Sequence, residues 1–189
     1  MTGRSLFRTA KPLLLVIGVL FRVFPRVVFV GTWFLVRSMP GKVGVLIRYL
    51  YARRLAKACG DNVLIGPACT ILHWKNLELG NNVALHERSY VDAIGGVSVG
   101  NDVSIAHATS ILSFEHTWTN RAKPIKYNDL SLSPIAIASD TWIGCGVRIL
   151  AGACIGERTV IAAGAVVPKG CYKAGVFAGV PARLKKAIS

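Results

Sequence analysis

The sequence predicts a mainly β fold: a parallel β-helix of short stacked strands, preceded by a helical N-terminal segment. Three observations predict it. An aliphatic residue recurs every six positions at Ile137, Ile143, Ile149, Ile155, Ile161 and Val167, with a looser beat upstream at Leu79, Leu85, Val91, Val97, Val99, Ile105 and Ile111. The charge is split: residues 1–60 hold eleven Lys/Arg and no Asp or Glu, whereas residues 61–189 hold twelve against nine, so most of the net +14 belongs to the first segment. Residues 12–24 and 27–36 are apolar on every side if helical. The split places a boundary near Gly60-Asp61, dividing the chain into a basic apolar segment, 1–60, and a repeat domain, 61–189.

A helix apolar all round needs lipid or protein about it. Residues 12–36 would span about 37 Å as one helix at 1.5 Å per residue, long enough to cross a bilayer. Arg22, Pro25 and Arg26 interrupt that run. Each arginine costs roughly 2.5–3.5 kcal/mol at a bilayer centre, and the proline kinks or breaks a helix. The favoured expectation is a kinked, membrane-associated hairpin dipping into one leaflet, Arg22 and Arg26 snorkelling to headgroups. A single span is the competing reading. "RVFPR" offers no small-residue cleavage site, which argues against a cleaved signal peptide. Residues 42–58 read as a basic, moderately amphipathic helix. Lys42, Arg48, Arg53, Arg54 and Lys57 either rest on anionic lipid or belong to a helix capping the repeat domain. Nucleic acid is not expected as a partner, because the cations flank apolar runs and no binding motif appears.

Each unit of the downstream repeat begins with a bulky aliphatic: I143-GCGVR, I149-LAGAC, I155-GERTV, I161-AAGAV. A six-residue period fits neither a helix nor an alternating strand. It suits a coil of short strands and tight bends, one aliphatic per strand stacking on the next coil, small residues at the turns and stability arising from stacking. The beat stops between Ile111 and Ile137. An insertion cannot enter the ladder, so residues 112–134 must form an outward loop, a common setting for chemistry on a rigid scaffold. That loop carries His116, Glu115, Trp118 and Tyr127. The five cysteines form no CxxC pair and suggest neither a disulfide framework nor a zinc site; reduced thiols in a cytosolic compartment are the simplest reading.

"VSVGNDVSIAHATSI", "WIGCGVRILAGACIGERTVIAAGAVVPKG" and "AGVPARLKK" resemble the hexapeptide-repeat acyltransferases over roughly residues 61–189, most closely the sugar and exopolysaccharide O-acetyltransferases. The resemblance implies a left-handed parallel β-helix assembled as a homotrimer, with acetyl-CoA as co-substrate and no tightly bound cofactor or metal. It implies that His116 is the general base that takes a proton from an acceptor hydroxyl; imidazole, with a pKa near 6.5, suits that task. Gly144, Cys145 and Ala163 would present backbone to the pantetheine arm, Trp142 would pack along it, and Lys169, Arg183 and Lys186 would meet CoA phosphates. Asp92 would help bind the acceptor, or serve as a turn-forming aspartate bonding its own backbone. Glu115 would orient His116 or stand in solvent, and Trp118 and Tyr127 would shape the acceptor groove. His73, His86 and His107 read as structural or surface residues. An asparagine of the galactoside-acetyltransferase relatives is missing from "NVALHERSY", so a galactoside acceptor is not expected.

The combined expectation is a bacterial O-acetyltransferase at the cytoplasmic face of the cell membrane, held there by residues 1–58 and acting on a membrane-linked glycan in capsule or exopolysaccharide synthesis. An amine acceptor stays open, since His116 serves either chemistry. A non-catalytic trimeric membrane scaffold is the runner-up. A β-helical zinc enzyme is disfavoured by the nine-residue separation of His107 and His116. Nucleotidyl transfer is disfavoured because residues 1–60 cannot supply a dinucleotide-binding domain.

Overall fold

The computed structural model describes residues 3–188, with side chains from Phe7 onward. Three helices come first: α1 (Gly3–Val23), α2 (Arg26–Val36) and α3 (Gly41–Leu55). The chain bends at Phe24-Pro25, where proline removes a helical donor. Both α1 and α2 lie against α3, with Phe7 on Tyr49 and Phe29 on Tyr51 in edge-to-face contact. Among the described residues no helix is long and apolar enough to cross a membrane.

Two expectations for the helical segment change. Arg26 donates to the Leu55 carbonyl at the end of α3 rather than reaching outward. Arg48 does not rest on lipid: it is 1% exposed and donates to the Ile65, Met39 and Arg37 carbonyls, tying α3 to the first strands. The guanidinium is buried here because carbonyls from the α2–α3 connection and from the Leu64–Ile65 strand converge on it as acceptors. The capping reading therefore describes α3, whose Tyr49, Leu50, Ala52 and Leu55 are buried against the repeat domain.

The repeat domain is a parallel solenoid with three sides. Its first coil is β1 (Ala58–Cys59), β2 (Leu64–Ile65) and β3 (Thr70–Leu72). The second is β4 (Leu77–Leu79), β5 (Ala84–Leu85) and β6 (Tyr90–Asp92), and the third β7 (Val97–Val99), β8 (Ser104–Ile105) and β9 (Ser110–Leu112). An excursion follows, a hairpin of β10 (Phe114–His116) and β11 (Leu130–Leu132). The fourth coil is β12 (Ile135–Ile137), β13 (Trp142–Ile143) and β14 (Arg148–Ile149), and the fifth β15 (Ala153–Ile155), β16 (Thr159–Ile161) and β17 (Val166–Val167). The last is β18 (Gly170–Tyr172) and β19 (Gly175–Ala178), over which β20 (Arg183–Ala187) folds back antiparallel. Stacking makes three sheets: A (β1, β4, β7, β12, β15, β18), B (β2, β5, β8, β13, β16, β19, β20) and C (β3, β6, β9, β14, β17).

The aliphatic beat is the core. Ile65, Leu85, Ile105, Ile143 and Ile161 stack inside sheet B, and Ile71, Val91, Ile111, Ile149 and Val167 inside sheet C, all nearly without exposure. Each such side chain contributes about 1.5–3 kcal/mol by leaving water. The looser upstream beat has a geometric cause. Leu79 pairs with Val99, 20 residues on, whereas Ile137 pairs with Ile155, 18 residues on. The lower coils spend the extra residues between sheets C and A, the corner from which the excursion leaves.

Corners repeat as faithfully as strands. Asn62, Asn82, Asp102, Asp140 and Arg158 take positive φ at the A–B corner. Asn62 donates to Asn82 and Asn82 to Asp102, a side-chain ladder along that edge. At the B–C corner the positive-φ residues are Ala68, Arg88, Ala108, Gly146 and Gly164.

Candidate active site

The residues expected at the donor site gather mainly along sheet B and the B–C corner. Trp142 stands outward on β13, in register between Ser104 and Val160, and is 56% exposed. Gly144 opens the turn beyond it. A Cβ there would lie 2.5 Å from the Ala163 nitrogen, so only glycine lets the two coils approach. Its N–H donates to Ile161, and the Cys145 carbonyl accepts from Gly164. Gly146 and Gly164 have open space where a Cβ would project, which leaves bare backbone along this edge beside exposed Ala163. Arg148, not singled out from sequence, donates to the Ala108, Gly146 and Val147 carbonyls and braces the corner.

Arg183 and Lys186 lie exposed on β20, above β19 in the same sheet. The preceding turn is sewn to the corner: Ala182 N–H donates to Val166, and Val166 N–H to Gly179. Lys169 is elsewhere. It follows β17 at the C–A corner, where its stem lies over Gly152.

The acceptor-side residues cluster at the C–A corner. The excursion is anchored by Ser113, fully buried, whose N–H and Oγ both donate to the Asp92 carbonyl, while its own Oγ accepts from Gly95. On β10, Phe114 and His116 share one face, their rings 6.2 Å apart. Side chains alternate along a strand, so Glu115 points to the opposite face and is not placed to orient the imidazole. His116 is exposed, as are Trp118 and Tyr127 in the connecting loop. Buried Asn128 organises that loop: it accepts from Asn120 N–H and donates to the Asn120, Lys123 and Pro124 carbonyls.

Asp92 is buried. Its Oδ1 accepts from Ile94 N–H, the local turn bond that was the alternative reading. The same oxygen stands 2.6 Å from Nδ1 of His73, read as structural from sequence. His73 sits in left-handed backbone, φ 55°, at the corresponding corner of the coil below. Nineteen residues separate the pair; only the 20-residue length of the lower coils could have signalled it. Among the described residues no cluster of three His, Cys, Asp or Glu is arranged to hold a metal ion.

The Gly144 corner and His116 thus flank opposite edges of sheet C. The repeat itself is matched at residues 134–169 by the family described as bacterial transferase hexapeptide, six repeats. A Saccharomyces cerevisiae protein bearing an acetyltransferase name is 30% identical over 139 residues, 72% of this chain and 69% of its own length. The chain belongs to the hexapeptide-repeat acetyltransferases. Within that family, the galactoside O-acetyltransferase of Escherichia coli is 28% identical over 130 residues, 69% of this chain and 63% of its own. The match to an acetyltransferase-named protein of Mycobacterium tuberculosis, 32% identical over 128 residues, takes in 67% of this chain but only 43% of that protein. The family's solenoid is seen in the crystal structure of a hexapeptide-repeat acetyltransferase of Vibrio cholerae, which superposes with a TM-score of 0.77 at 22% identity over 87% of this chain and 90% of its own. That protein has also been crystallised with acetyl coenzyme A.

Proposed function

We propose that this protein transfers an acetyl group from acetyl-CoA to a sugar hydroxyl of a membrane-linked glycan in capsule or exopolysaccharide synthesis, with His116 as general base. One observation carries the reading: an exposed imidazole, on a hairpin fixed by Ser113, flanks the sheet whose other edge holds Gly144, Cys145 and Ala163, with bare backbone at Gly146 and Gly164. The hydroxyl oxygen attacks the thioester carbonyl as imidazole removes its proton. The carbon–sulfur bond breaks, and the proton passes to the departing thiolate. Positioned proton transfer of this kind supplies about 10²–10⁴-fold. Backbone N–H groups would stabilise the tetrahedral oxyanion. Arg183 and Lys186 suit CoA phosphates, where charge-assisted bonds form.

In this reading base and donor corner, at opposite edges of sheet C in one chain, are brought together between copies of a homotrimer. The helical segment supports attachment to the cytoplasmic membrane face. Leu13, Val16, Leu20 and Val23 on α1, with Val27 and Phe34 on α2, are all more than half exposed, the reverse of a solvent-facing helix surface. Attachment favours an acceptor itself held in the membrane.

Calorimetry with acetyl-CoA tests the reading, on wild type and His116→Ala. Equal affinity for both, with transfer to a glycan hydroxyl reduced 10²–10⁴-fold in the variant, is the expected result. No binding by wild type at millimolar acetyl-CoA would overturn it in favour of a non-catalytic scaffold.

A further inference from the structure

Between α1 and α3 lies a crevice of about 180 Å³ whose walls differ sharply. Its apolar lining is Phe7, Leu14, Leu15, Val19, Phe21 and Leu50, of which Leu14 and Leu50 are buried. Its rim holds Lys11, Arg22, Arg53 and Arg54 against the single carboxylate of Asp61. Lys11 and Arg53 share that carboxylate, at 2.6 and 3.5 Å. Arg54 donates through Nη2 to the Phe24 carbonyl, but its Nε–H is buried and has no acceptor among the described residues. Arg22 makes no hydrogen bond or ion pair among them. The rim therefore carries a surplus of three positive charges and one unengaged guanidinium. Gly18 lines the crevice, and a Cβ there would meet nothing within 4 Å, so a larger side chain has room to enter.

We propose that this crevice binds the phosphate-bearing headgroup of a membrane lipid. The proposal rests on the membrane attachment put forward above and gives it a specific site. A phosphate oxygen supplies what the rim lacks: a counter-charge for Arg22, through bonds that ionised partners strengthen. The volume is too small for a whole lipid. It takes the phosphate and the first carbons, and the tails continue over Val16, Val19, Leu20 and Val23, whose exposed side chains adjoin the crevice on α1. Charge of this sign next to an apolar stripe is the arrangement that anionic lipid favours.

The test uses the full chain and dihexanoyl phosphatidic acid below its micelle concentration, with dihexanoyl phosphatidylcholine and inorganic phosphate as comparison probes. Expected is saturable one-to-one binding of the phosphatidic acid, at least tenfold tighter than either comparison probe. Gly18→Leu, which fills the crevice, abolishes it, and Arg22→Gln weakens it severalfold, both with unchanged circular dichroism. Sedimentation with phosphatidylcholine vesicles reads the attachment separately: Val16→Asp/Leu20→Asp loses it, while Gly18→Leu keeps it. Equal binding of both short-chain lipids, or binding that Gly18→Leu leaves intact, overturns the crevice while attachment stands. A wild type that ignores vesicles yet binds the short-chain phosphatidic acid in a Gly18-dependent way upholds the crevice and refutes attachment. Loss of phosphatidic acid binding with a changed oligomer mass in Gly18→Leu overturns the proposal by showing that a second copy of this chain occupies the crevice.

Discussion

Nδ1 of His73 and Oδ1 of Asp92 meet at 2.6 Å, joining two successive coils through their side chains at the corner from which the β10–β11 hairpin departs. The carbonyl of the same Asp92 accepts both bonds from Ser113, so the pair underlies the excursion's anchor. His73→Asn retains a residue type that tolerates left-handed backbone but removes the ring. Because Asp92 Oδ1 keeps the bond from Ile94 N–H, the loss is expected to cost about 0.5–1.5 kcal/mol, the net worth of one hydrogen bond. A double-mutant cycle in urea with Asp92→Asn checks this: coupling of about 0.5 kcal/mol or more marks a working pair, and additivity marks an idle one.

Gly144 and Gly146 are two residues apart and constrained for different reasons. Gly144→Ala forces a Cβ against the Ala163 backbone and is expected to cost about 1–3 kcal/mol, with weakened acetyl-CoA binding. Gly146→Ala meets no atom but keeps φ +67°, a left-handed conformation costing roughly 1–2 kcal/mol. Thermal unfolding and calorimetry on both variants separate the two: only Gly144→Ala should disturb the spacing of the donor corner.

Asn128 holds the excursion by four hydrogen bonds. Asn128→Ala is expected to free the loop between β10 and β11 without unfolding the coils. Amide exchange should rise across residues 117–129 and stay unchanged in β12 to β17. Uniform exchange across the whole domain would show that the loop is no separate unit.

Burial pushes three groups at the helix–solenoid junction upward: Cys59 to about 12, Cys69 to about 11 and Tyr49 to about 12, from ordinary values of 9.0 for the thiols and 10.0 for the phenol. A raised pKa in the folded state means that the unfolded chain ionises first. The stability from these groups is complete below pH 9 and declines as pH rises toward 11–12. The melting temperature should fall over that window, and less steeply in Cys69→Ala. Alkylation at pH 8 should reach exposed Cys154 and Cys171 well before Cys59 and Cys69.

Much of this fold was legible in the sequence because one aliphatic per strand is a strong, local signal. Ile143, Ile149, Ile155 and Ile161 are each buried at the position their spacing required. The outward excursion was legible as an interruption of that beat. Arg48 was misread because a cation in a basic run looks like a surface charge; its carbonyl partners at Arg37, Met39 and Ile65 come together only after folding. His73 and Asn128 escaped for a related reason. Their partners are set by coil length and loop closure, and neither leaves a periodic trace. Glu115 shows the converse: adjacency to His116 suggested cooperation, and strand alternation separates them.

The change from 20-residue coils to 18-residue coils has an evolutionary consequence. All the slack lies at the C–A corner, where residues can be added without disturbing the ladder. The B–C corner repeats with no spare residue, and at Gly144 the coils approach so closely that even a methyl group is excluded. One edge of the molecule is therefore free to diversify, while the opposite edge is held to a fixed gauge. A lineage built on this scaffold can reshape the excursion's edge while keeping the Gly144 edge unaltered.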